Sequence, residues 1–245
     1  MYEQVSHSQL NRILDELKPD IRKRDLRHFY TRLGANFYAI YTLFHHLYGE
    51  RDDFDAQLLR LVEVMASQYL NRAKKLKAID IEREQNHNWF LDKEWVGMAL
   101  YSDGFAGDLQ GLSQKLGYLQ ELGVNLVHVM PILKCPQGAS DGGYAVSDFR
   151  DVDERVGSLE DIRELARQMG QRNMLLTLDV VMNHTSEEHE WAQRARAGEQ
   201  KYRDYFYIFD DRVVPDMFEE TMPEVFPETS PGNFTFDETL QKWVM

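Results

Sequence analysis

Asp179, Asn183 and His184 stand directly after an apolar run, Met174-Leu175-Leu176-Thr177-Leu178. The run is long enough for one buried strand, and the polar groups follow it abruptly. Polar side chains at the carboxyl end of a buried parallel strand are where α/β barrels keep their binding sites. The competing reading is a buried strand whose polar end only caps the next turn. Cys135 is the sole cysteine, so neither an intramolecular disulfide nor a cysteine metal cluster is available.

The strand needs partners to hold those groups. Trp95 to Tyr101 is a short apolar run, and Val124 to Met130 is a second strand, stopped by Pro131. Between them Leu112, Leu116, Leu119 and Leu122 form a helical stripe closed by Gly123. A Gly-rich loop, Gln137 to Tyr144, follows the second strand. Ser158 and Asp161 have the spacing of a capping box, continued as a helix by Ile162, Leu165, Ala166 and Met169. Strand and helix in alternation predict a parallel sheet with right-handed crossovers.

Residues 1–90 read as helical. Leu33, Phe37, Ile40, Phe44 and Leu47 recur at helical spacing, and Leu58, Leu61, Val62, Met65 and Tyr69 form a second stripe. Gly49 separates them, and Asp53 or Asp55 can cap the second helix. The aromatic residues here read as helix-packing core. Adjacent His45 and His46 point in different directions on a helix and make a poor metal pair. Residues 185–245 lose the alternation and read as an irregular, aromatic-rich insertion. Connections of that kind usually serve as lids or binding loops.

The 245 residues, 43% hydrophobic, can bury a sizeable core. Lys and Arg number 28 against 41 Asp and Glu, a net charge of −13. Such a surface repels nucleic acid and anionic lipid, so neither is expected as a partner. No signal peptide opens the chain and no apolar run spans a membrane, so a cytoplasmic location is the expectation, secretion not being excluded.

Four segments, in order, resemble the α-amylase superfamily of glycoside hydrolases and transglycosylases (glycoside hydrolase family 13). Asp179-Val180-Val181-Met182-Asn183-His184 is similar to its Asp-x-x-x-Asn-His after barrel strand three. Gly123 to Pro131 resembles its strand two, Gly143 to Phe149 its Gly-Tyr loop, and Phe105 to Leu112 the segment after strand one. Within that family the chain resembles the amylosucrase group most. The helical N-terminal region, Met130 to Pro136 with Ser140 to Ser147, and His184 to Ala192 with Pro223 to Pro227 carry that likeness.

The resemblance implies an α/β fold: an N-terminal helical domain (1–90), the first three βα units of a TIM (β/α)8 barrel (91–184), and part of an inserted domain after strand three (185–245). It implies glucosyl transfer from sucrose to an α-1,4-glucan with release of fructose, by a retaining mechanism. Such enzymes pair a carboxylate nucleophile with a carboxylic acid roughly 5–5.5 Å away. The family places both beyond the residues present here, so no catalytic residue is assigned and the chain alone is expected to be inactive. An open parallel sheet with an uncovered edge also predicts marginal folding.

By resemblance, three residues bind substrate. His184 would hydrogen-bond the glucosyl unit, where a contact that strengthens toward the transition state aids catalysis. Tyr144 would offer its flat face to the sugar's C–H side, and Asp141 would line the pocket bottom as a solvated carboxylate. Asp179 and Asn183 would orient the strand end. Phe226 would either border the acceptor side or pack the insertion. Some relatives use an Asn at position 183 for calcium, but no further oxygen ligands accompany it, so no metal and no cofactor are expected. Sucrose, an α-glucan and a C-terminal complementing chain are the expected partners. A sucrose hydrolase, a trehalose-forming isomerase or a non-catalytic carbohydrate-binding module are the alternatives.

Overall fold

The computed structural model describes residues 2–17, 26–138, 140–224 and 231–245. They form two compact units, Met1–Phe90 and Leu91–Met245. Phe226 lies outside the described residues.

The first unit contains α1 (Tyr2–Glu16), α2 (Arg27–Tyr48), α3 (Phe54–Asn71) and α4 (Lys74–Gln85). α2 buries Phe29, Leu33, Phe37 and Tyr41, and α3 buries Phe54, Leu58, Val62 and Ala66. Each row repeats every fourth residue, which keeps it on one helix face. Leu10, Ile13, Leu17 and Leu26 complete this core. Leu47, assigned by spacing to the apolar stripe, is 68% exposed. In the last turns of α2 it is Tyr41, Phe44 and His45 that meet Phe54, at ring separations of 5.4–6.0 Å. Asp53 precedes α3 without capping it, because its carboxylate accepts instead from Arg51 Nε at 2.8 Å and Gln57 Nε2 at 3.1 Å.

The second unit begins with β1 (Gly97–Leu100), α5 (Ser102–Ala106), α6 (Leu109–Gln114), α7 (Leu116–Glu121) and β2 (Leu126–Val129). It continues through β3 (Leu133–Lys134), β4 (Asp148–Val152), α8 (Leu159–Gln171) and β5 (Leu175–Leu178). β1, β2 and β5 make a parallel sheet in that order, with Ala99, His128 and Thr177 in register, then Leu100, Val129 and Leu178. Alternation sends Leu100, Val127 and Val129 into a core with Leu109, Leu112, Leu116, Leu119, Leu165 and Met169. Each such side chain contributes about 1.5–3 kcal/mol by leaving water. This is the α/β arrangement of a (β/α)8 barrel, carrying three of its eight strands.

The helix ends follow local chemistry. Ser158 Oγ accepts from Asp161 N while the Asp161 carboxylate accepts from Ser158 N, closing the capping box of α8. The leucine stripe before Gly123 is two short helices rather than one, and its last member, Leu122, is 51% exposed. It sits in the turn after α7, past the last residue that faces the sheet. Gly123 itself has φ +80°, a left-handed turn conformation suited to glycine.

Two departures from the sequence reading concern loops. The segment holding the Gly-rich loop is bracketed by β3 and β4, which pair antiparallel. The insertion is also more regular than its composition suggested. It holds α9 (Glu190–Arg196), α10 (Gln200–Arg203), β6 (Ile208–Phe209), α11 (Val213–Glu219), β7 (Thr235–Asp237) and β8 (Lys242–Val244). The three strands form a small antiparallel sheet with β8 at its centre. Aromatic pairs close it, Phe236 against Trp243 across the strands and Phe209 edge-on to Phe234. No helix among the described residues is long and apolar enough to cross a membrane.

Candidate carbohydrate site

The face of the parallel sheet turned away from the helices carries Ala99, His128 and Thr177 side by side. Alternation puts Tyr101 and Asp179, one step past the strand ends, on the same face. These carboxyl ends gather the polar groups. His128 Nε2 lies 3.1 Å from Asp179 Oδ1, and Tyr144 Oη donates to Asp179 Oδ2 at 3.4 Å.

Tyr144 arrives on a tight turn. Asp141, Gly142 and Gly143 all have positive φ, at 49°, 63° and 93°. Only glycine adopts such values without cost, and Asp tolerates them better than most. The two glycines also answer to close neighbours. A Cβ on Gly143 would lie 3.0 Å from Pro131 Cβ and 3.1 Å from Pro131 O, and one on Gly142 would meet Tyr101 Oη at 3.3 Å. The turn then presents Tyr144 half-buried, its N–H donating to Asp141 O at 3.1 Å. Burial pushes the Tyr144 hydroxyl pKa up, and the negative charge of Asp179 adds to the shift, so the hydroxyl remains a donor.

His184 joins the same residue from the other side. Its Nε2 is 3.1 Å from the Tyr144 carbonyl oxygen, and Asn183 Nδ2 is 3.4 Å from its Nδ1. A carbonyl only accepts, so Nε2 carries the proton, and Nδ1 is left to accept from the carboxamide. The ring itself is exposed. Ser186 N donates to Val146 O at 2.8 Å, a second tie between the two loops. Of the sequence-assigned residues, His184 and the Asp141 backbone both contact Tyr144, while the Asp141 side chain is exposed.

A hydrogen-bonded cluster forms where the loop leaves β3. Asp153, 5% exposed, accepts from Cys135 N at 3.2 Å, Cys135 Sγ at 3.0 Å and Arg155 Nε at 2.7 Å. Burial opposes the Asp153 charge, but the hydrogen bonds from Arg155 and Cys135 outweigh it and hold its pKa below the ordinary carboxylate range. Burial, reinforced by Asp153, pushes the Cys135 thiol up to about 11. The thiol is therefore a structural donor and a poor nucleophile.

Sequence reading missed His128 and Tyr101. The signal for His128 was present, as the one polar residue of β2, Leu-Val-His-Val. Among the described residues no group of three or more His, Cys, Asp or Glu is placed to hold a metal. What the cluster offers is a ring face, an exposed imidazole and an exposed carboxylate. Groups of that chemistry suit a polyol, which offers apolar C–H surface to a ring and hydroxyls to polar side chains.

The alpha-amylase catalytic-domain profile matches residues 46–245. The oligo-1,6-glucosidase of Bacillus cereus is 43% identical over 128 residues, 47% of this chain and 23% of that protein. The trehalose synthase of Pimelobacter sp. (strain R48) is 35% identical over 136 residues, 56% of this chain and 23% of that protein. Two solved structures have TM-scores of 0.53 and cover 62% of this chain and 28% of their own. They are the trehalulose synthase MutB of Pseudomonas mesoacidophila MX-45, 31% identical, and the isomaltulose synthase SmuA of Protaminobacter rubrum, 28% identical. Another MutB structure, a mutant, is in complex with the substrate sucrose. The chain thus spans less than a third of the length of these relatives.

Proposed function

The chain belongs to the alpha-amylase family, glycoside hydrolase family 13, and from that premise we propose that it carries the glucose-holding half of a retaining, sucrose-active glucosyltransferase. The activity proposed for the whole site is amylosucrase-like: the glucosyl unit of sucrose passes to an α-1,4-glucan and fructose leaves. In this reading 1–90 is a helical domain, 91–184 the first part of the barrel and 185–245 an inserted domain. Tyr144 is the platform under the glucosyl ring, His184 donates from Nε2 to a sugar hydroxyl once the Tyr144 carbonyl releases it, and Asp141 accepts at the pocket bottom. The observation that carries the reading is the convergence of His184, Asp179 and the Asp141 backbone on Tyr144 at the carboxyl ends of the parallel strands.

The carboxylate nucleophile and the acid/base of this family's reaction are not assigned to any residue of the chain. The 245 residues by themselves therefore release no fructose from sucrose, and turnover requires the family's carboxylate pair, supplied for example by a complementing chain. Incubating the purified chain with sucrose and quantifying fructose tests this. Sustained release above a buffer control would overturn it. A second reading, sucrose isomerisation, is favoured by the likeness to the trehalulose and isomaltulose synthases. With the complementing chain present, an α-glucan product supports transfer, and trehalulose or isomaltulose supports isomerisation.

A further inference from the structure

His128 and Asp179 are in contact on the same sheet face, and Asp179 in turn meets the Tyr144 hydroxyl. His128 is flanked in register by Ala99 and Thr177, whose small side chains leave the imidazole room to lean along the sheet. Its Nε2 is buried and 3.1 Å from Asp179 Oδ1, but it makes no in-line hydrogen bond there. The two oxygens of Asp179 are thereby divided, Oδ1 against His128 and Oδ2 against Tyr144 Oη.

The Tyr144 backbone is anchored on both sides: its N–H donates to Asp141 O, and its carbonyl accepts from Val146 N at 3.0 Å and from His184 Nε2. Neither fixes the ring. The hydroxyl contact to Asp179 reaches the end of the ring, and at 3.4 Å it is a long hydrogen bond that depends on where the carboxylate points. The terminal torsion of an aspartate is broad, so a carboxylate with nothing against Oδ1 swings freely.

We propose that His128 is a positioning residue for substrate binding: it holds the Asp179 carboxylate so that Tyr144 stays set as the sugar platform. The proposal rests on the reading of Tyr144 as that platform. His128 touches no sugar in this account and acts only through Asp179.

Two measurements on the full chain test it. The first is binding of methyl α-D-glucopyranoside by the wild type, His128→Leu, His128→Gln, Tyr144→Phe and the double variant His128→Leu/Tyr144→Phe. His128→Leu weakens binding about 3- to 10-fold, because a carboxylate freed at Oδ1 turns away from the Tyr144 hydroxyl and costs that one hydrogen bond. His128→Gln, which keeps an N–H toward Asp179, recovers most of that loss. The double variant is no weaker than Tyr144→Phe, because both changes cut the same connection. Independent, multiplying losses would overturn the proposal, as would wild-type affinity in His128→Leu.

The second is NMR of ring-labelled tyrosine, with Tyr144→Phe assigning the resonance. The Tyr144 signal shifts in His128→Leu as it does in Asp179→Asn. An unmoved signal overturns the proposal whatever the binding result. If the wild type binds no glucoside while the signal still shifts, the platform reading fails and the coupling stands. Should His128→Leu fail to fold by circular dichroism, His128→Thr, the size of its register neighbour, replaces it in both measurements.

Discussion

Gly143→Ala meets two obstacles that can be sized separately. At φ +93° an alanine adopts a left-handed conformation, which costs about 1–2 kcal/mol. Its methyl would also stand 3.0 Å from Pro131 Cβ and 3.1 Å from Pro131 O. A proline ring and a backbone carbonyl cannot swing aside, so the turn or the end of β2 must shift, at about 1–3 kcal/mol for a crowded interior. The sum is about 2–5 kcal/mol, which lowers the melting temperature of a domain this size by roughly 5–15 °C. Gly142→Ala is milder. Its φ is +63°, and the atom it meets at 3.3 Å is the far end of Tyr101, which can move. Gly138→Ala meets nothing within 4 Å and is neutral or stabilising by up to about 1 kcal/mol. Thermal melts of the three variants give the order Gly143, Gly142, Gly138. A Gly143→Ala protein that melts with the wild type would refute the reasoning, because it would mean that Pro131 does not fix the turn.

Two more outcomes follow from the buried groups. With its pKa pushed up to about 11, the Cys135 thiol is ionised in about one molecule in a thousand at pH 8. It reacts with a disulfide reagent about 100-fold more slowly folded than in urea, and equal rates would contradict the buried Asp153 contact. Burial lowers the His189 pKa below the usual 6.5, although Asp148 and Glu190 pull it upward. Its Nδ1 caps α9 by accepting from Trp191 N at 3.0 Å, a role for a ring nitrogen without a proton. A depressed folded-state pKa means that the contribution is complete above pH 6.5 and is lost as pH falls through the folded-state value. Urea melts between pH 7.5 and 5.5 should show a larger loss for the wild type than for His189→Asn, which caps without titrating. Identical losses would remove His189 from the account.

The periodic parts of the fold were legible in the sequence, and the short irregular parts were not. Val127 and Val129 alternate, Leu112, Leu116 and Leu119 recur at helical spacing, and Ser158 with Asp161 announces a helix start. Those signals are local, so the elements formed where they pointed. β3 and β6 have two residues each, too few to show alternation, and their pairing is set by contacts distant in sequence. The same reason hid His128. Within its strand it reads as one polar interruption, and only the β2–β5 register brings it to Asp179. Asp141, Tyr144 and His184 were named by resemblance alone. Spacing could not show that the turn at Gly142-Gly143 would seat the Tyr144 carbonyl against His184. Leu47 and Leu122 mark the opposite error, since spacing assigns a face but not whether a neighbour covers it.

The central claim is that the carboxyl ends of β1, β2 and β5, with the Asp141–Tyr144 turn, hold a glucosyl unit. Titrating the chain with methyl α-D-glucopyranoside, followed by saturation-transfer NMR or calorimetry, tests it most directly. Saturable binding by the wild type and by Leu47→Ala in the helical unit is the expected result, with binding lost in Tyr144→Ala and reduced in His184→Ala. A wild type that does not bind, or binding untouched by Tyr144→Ala in a folded protein, would contradict the account.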